Sequence, residues 1–64
     1  MTVAEYILEV LSTQERPKSW LAEKIDISKQ AIHYKFKSNS FTAEELLRIA
    51  KVLNINLEEL KEKI

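Results

Sequence analysis

Trp20-Leu21-Ala22-Glu23-Lys24-Ile25-Asp26-Ile27-Ser28-Lys29-Gln30-Ala31-Ile32 is the stretch on which the fold turns. Leu21, Ala22 and Ile25 keep the spacing of one helix face, and Ile32 with Phe36 resumes it on the far side of Asp26-Ile27. Two residues are too few for a loose loop. They suit two helices that meet at a steep angle around one buried residue, and Ile27 is the residue expected there. Ser28 then opens the second helix, since its hydroxyl accepts a backbone N–H that has no partner inside the helix.

Outward from this pair, helix starts are marked by caps, because the chain has no glycine and one proline. Thr2 with Glu5 and Thr42 with Glu45 fit the capping box, in which hydroxyl and carboxylate each take one backbone N–H; Asn56 with Glu59 is a close variant. Pro17 suits a helix opening, where its missing N–H costs nothing. Apolar residues recur at helical spacing between these starts: Val3, Ile7, Val10 and Leu11; Leu46, Ile49, Ala50 and Leu53; Leu57, Leu60 and Ile64. Five short helices are predicted at 2–14, 17–25, 28–37, 42–53 and 56–63, in an all-α domain spanning 1–64. No strand-length alternation is present, so no sheet is expected.

Sixty-four residues support one modest core, and most buried side chains must serve folding. No enzyme is expected, because no nucleophile-base pair, phosphate loop or metal spacing occurs. The absence of cysteine and the single His33 argue against a metal or other cofactor and suit a reducing cytoplasm. No apolar run reaches the roughly 20 residues that span a bilayer, and no membrane association or small-molecule ligand is expected. Net charge is zero, yet it is unevenly placed: −3 over residues 1–15, +4 over 16–37 and −1 over 38–64. The basic block coincides with the helix pair.

The helix pair resembles the helix-turn-helix of the XRE family, the Cro and repressor proteins that share the lambda repressor-like DNA-binding fold. The matching pattern is Leu21-Ala22, Ile25, Ile27-Ser28 and Ile32; Phe41-Thr42, Glu45-Leu46, Ile49-Ala50, Leu53-Asn54-Ile55 and Leu57-Glu58-Glu59-Leu60 extend it through the last two helices. The family's turn glycine is Asp26 here, and its glycine before the last helix is Asn54. Asp and Asn are the residues after glycine that best accept left-handed backbone geometry. Lys35 stands where many members carry an aliphatic residue, so either its stem lies along the core edge with its ammonium in solvent or Phe36 takes the core role.

At about 100° per residue, Lys29, Gln30, His33, Tyr34 and Lys37 fall within an arc of about 140° on the helix after Ser28. Such an arc is rich in donors for base edges. Lysine can donate to guanine O6 and N7, and glutamine can pair with adenine, which makes Lys29 and Gln30 the first base-reading candidates, followed by His33 and Tyr34. By resemblance, Lys29, Gln30 and Tyr34 occupy base-contacting positions and Lys18 a phosphate-binding one. Arg16, Lys35, Lys37, Ser38 and Asn39 complete the expected phosphate contacts. The resemblance implies a Cro-like transcriptional regulator that binds double-stranded DNA as a homodimer on a palindromic operator and represses by occupying it. Two alternatives share the fold: a protein-binding helical module, favoured by the neutral net charge, and an antitoxin-type autoregulator.

Overall fold

Residues 2–62 are described in the computed structural model. Five helices run through them: α1 (Val3–Thr13), α2 (Lys18–Lys24), α3 (Lys29–Ser38), α4 (Ala43–Leu53) and α5 (Leu57–Glu62), with no strand among the described residues. Each boundary lies within one residue of the predicted one, apart from the far end of the last helix, where Lys63 and the core position of Ile64 lie outside the described residues.

Caps explain the starts. Thr2 and Glu5 close a capping box, as do Thr42 and Glu45, and the Ser28 hydroxyl accepts the Ala31 N–H at 3.0 Å. Asn56 behaves differently from the predicted box. Its Oδ1 accepts the Glu58 N–H at 2.8 Å, while Glu59 turns its carboxylate to the Tyr6 hydroxyl at 3.1 Å and so ties α5 to α1.

Four helices end the same way, with one residue in the left-handed region: Glu15 (φ 56°), Asp26 (φ 60°), Asn39 (φ 52°) and Asn54 (φ 58°). Asp26 and Asn54 match expectation; Glu15 and Asn39 are additional. After each, the next N–H reaches back to a carbonyl of the helix's last turns: Arg16 to Leu11, Ile27 to Ala22, Ser40 to Lys35 and Ile55 to Ala50, at 2.8–3.1 Å. The chain thus makes four glycine-type turns without a glycine.

Ile7, Leu21, Ile32 and Ile49, one from each of the first four helices, are the largest fully buried side chains. Leu11, Ala22, Ile25, Phe36, Ala50, Leu53 and Leu60 complete the centre. The buried residue at the α2–α3 turn is Ile25, at 2 % exposure, rather than Ile27, which is only half-buried against the cluster. The reason is that the left-handed Asp26 reverses the chain directly after Ile25, which leaves Ile27 at the rim. Val10, Leu46, Tyr6 and Phe41 are likewise half-buried, and Leu57 is exposed. Phe36 does take the core role beside Lys35 and meets Phe41 edge to face at 5.1 Å between ring centres. No polar or charged side chain among the described residues is buried, so recognition must be sought at the surface.

Candidate nucleic-acid interface

The α2–α3 pair shares the most extensive helix contact of the molecule. Leu21 and Ala22 from α2, Ile25 at its C-cap, and Ile32 and Phe36 from α3 are buried, which fixes the face that α3 turns outward. On that face Lys29, Gln30, His33, Tyr34 and Lys37 are all exposed, Tyr34 at 65 %. Ala31 and Lys35 are half-buried at its margins. Ten residues of helix are about 15 Å long, and a helix of that size fits a major groove about 12 Å wide.

The basic side chains divide into two groups. Lys35 pairs with Glu45 at 2.9 Å, Arg48 with Glu44 at 2.7 Å and Lys61 with Glu58 at 3.8 Å. Among the described residues, no carboxylate lies within ion-pair distance of Arg16, Lys18, Lys24, Lys29, Lys37 or, away from this helix pair on α4, Lys51. Three of these rest on aromatic rings instead. The Arg16 guanidinium carbon is 4.0 Å from the centre of the Trp20 ring, Lys24 Nζ is 5.8 Å from it, and Lys18 Nζ is 5.4 Å from the centre of Phe36. A cation on a ring keeps its full charge, so these cations outnumber the exposed Glu23 and Asp26 and give the α2–α3 pair a net positive field.

Lys35 and Asn39 each have a tertiary partner that the sequence reading did not include. The Lys35 ammonium is not a free solvent group: its side chain and that of Glu45 are only 21 % and 17 % exposed, and their pair locks α3 to α4. Burial alone would raise the Glu45 carboxyl, but the Thr42 N–H, the Lys35 ammonium and the Thr42 hydroxyl outweigh it and hold it below the ordinary carboxylate range. Asn39 caps α3 in left-handed geometry and its Oδ1 accepts the Ala4 N–H at 3.0 Å, fastening the end of α3 to the start of α1. Ser38 Oγ donates to the Tyr34 carbonyl at 2.8 Å and lies 2.6 Å from Ser40 Oγ, at the exposed end of α3. None of these tertiary partners leaves a signal in local sequence, although Glu45 was visible as a cap residue.

The profile of the bacteriophage CI repressor helix-turn-helix domain matches residues 10–63. The chain belongs to that family. It is therefore a DNA-binding regulator of transcription, and the resemblance to Cro and repressor proteins holds together with the five-helix fold. The family is one of DNA-binding repressor domains, typically without catalytic activity. No curated protein and no solved structure matches the chain. In this repressor domain no described helix is long and apolar enough to cross a membrane, and no cluster of His, Cys, Asp or Glu among the described residues could hold a metal.

Proposed function

We propose that this repressor domain recognises a specific operator by placing α3 in the major groove, with Lys29 and Gln30 reading base edges and His33 and Tyr34 flanking them. The observation that carries the reading is the exposed face of α3, whose five outward side chains are polar or aromatic donors unengaged by any carboxylate. Arg16, Lys18, Lys37 and Ser38 are the backbone-phosphate contacts that set register; Lys35 and Asn39 support α3 instead.

A homodimer on a two-fold symmetric operator is part of the proposal. One short helix contacts few base pairs, and a pair of domains doubles the site. The Cα extents of 27 × 22 × 19 Å suit two copies side by side on half-sites about 34 Å apart. Leu47, 57 % exposed, and Leu57, 44 % exposed, supply an apolar surface on α4 and α5 for the seam. Selection from a random duplex library, followed by binding at several salt concentrations, tests the reading. A palindromic site whose affinity falls steeply with salt supports it, and recovery of no preferred duplex refutes operator recognition.

A further inference from the structure

We infer that Trp20 is a positioning residue for DNA binding: its ring holds the Arg16 guanidinium, and more loosely the Lys24 ammonium, as pre-ordered contacts for the DNA backbone. The inference rests on the DNA-binding reading of the α2–α3 face and adds to it a residue that contacts no base.

The backbone around Arg16 is already pinned. Glu15 before it is left-handed at φ 56°, the Arg16 N–H is bonded to the Leu11 carbonyl at 2.9 Å, and Pro17 after it has its dihedral set by its own ring. What remains free is a long exposed side chain, and Trp20 takes up that freedom at 4.0 Å. Trp20 is itself held half-buried against the core by α2, so the platform does not move with its load. A guanidinium stacked on a ring uses its face, while its N–H donors radiate in its own plane and stay available for a phosphate oxygen. An arginine so placed has lost its rotamer freedom before DNA arrives, and binding is stronger for that reason. The same ring faces Lys24 at 5.8 Å, so one indole orders two of the uncompensated cations.

The test uses the whole chain and a labelled mixed-sequence duplex of about 20 base pairs, two helical turns, because phosphate contacts need no particular sequence. Anisotropy is measured between about 50 and 200 mM salt for wild type, R16A, W20L, R16A/K24A and the triple variant. R16A should lower the salt slope by about one, as loss of one phosphate contact does. W20L should weaken binding about two- to fivefold, the worth of an exposed cation–π contact. In the R16A/K24A background the Trp20 change should cost nothing more.

W20L that binds as wild type, or that weakens R16A/K24A by the same factor as it weakens wild type, overturns the inference. A Trp20 that merely packs would lower the melting temperature without this coupling to Arg16. Should W20L fail to fold, Trp20 fluorescence of the wild type decides, since it is the chain's one tryptophan. Emission that changes with the same midpoint as anisotropy supports the platform, and emission indifferent to duplex overturns it. Wild-type protein that shows no salt-dependent duplex binding overturns the DNA-binding reading itself and this inference with it.

Discussion

Replacing Glu15 by glycine should make the domain more stable, although it removes a side chain and adds none. Glu15 sits at φ 56°, where the Cβ of an L-residue crowds the following carbonyl and costs roughly 1–2 kcal/mol. Glycine removes that cost but loses more freedom on folding, a penalty of roughly 0.5–1 kcal/mol. The net gain is about 0.5–1 kcal/mol, which for a domain of this size raises the melting temperature by about 2–8 °C. The Glu15 side chain is exposed and has no ion pair among the described residues, so little else changes. Glu15→Ala, which keeps Cβ and loses the charge, is the control and should leave the melting temperature near that of wild type. Asn39→Gly is the decisive counterpart. Its φ of 52° is nearly the same, but its Oδ1 accepts the Ala4 N–H, and losing a part-buried bond of about 1 kcal/mol cancels or reverses the backbone gain. Thermal melts followed by far-UV circular dichroism would read all three. Glu15→Gly melting at or below wild type, or Asn39→Gly rising as far as Glu15→Gly, would refute the assignment of strain to these positions.

Lowering the pH through the acid range should weaken the α3–α4 contact. The Glu45 carboxyl is held below the ordinary value in the folded chain, so its stabilisation is present above the unfolded value of about 4.3 and is lost as pH falls through the folded one. Glu45→Gln should remove that part of the acid dependence, read as melting temperature against pH. Lys29→Ala and Gln30→Ala should each cost about 1–3 kcal/mol of discrimination at one base pair of a selected operator, whereas Lys37→Ala should weaken all duplexes alike and flatten the salt slope by about one. Leu47→Glu should leave the helical spectrum intact and shift sedimentation toward the monomer, since Leu47 is 57 % exposed and outside the core; an unchanged sedimentation profile would remove Leu47 from the seam. Leu21→Ala, at a fully buried position, should cost about 2–5 kcal/mol and be read as a large fall in melting temperature.

Five helices, two capping boxes, the Ser28 cap and the outward face of α3 were legible in the chain, because each depends on residues no more than a few positions apart: a hydroxyl and its N–H three residues on, or apolar groups every three or four. Asp26 and Asn54 could be placed in left-handed geometry because they stand where the resembled family has glycine and their residue types tolerate it; Asn39, of the same type, had no such marker. Glu15 could not, since glutamate carries no such preference, and its dihedral belongs to the tight turn that joins α1 to α2. The same holds for contacts that join distant segments. Lys35 meets Glu45 ten positions on, and Asn39 meets Ala4 thirty-five positions back, only because the four buried side chains Ile7, Leu21, Ile32 and Ile49 draw their helices together. Local spacing decides which face of a helix is apolar. Packing decides that Lys35 is consumed by Glu45 on the next helix, while Arg16, on its tryptophan, is left facing outward.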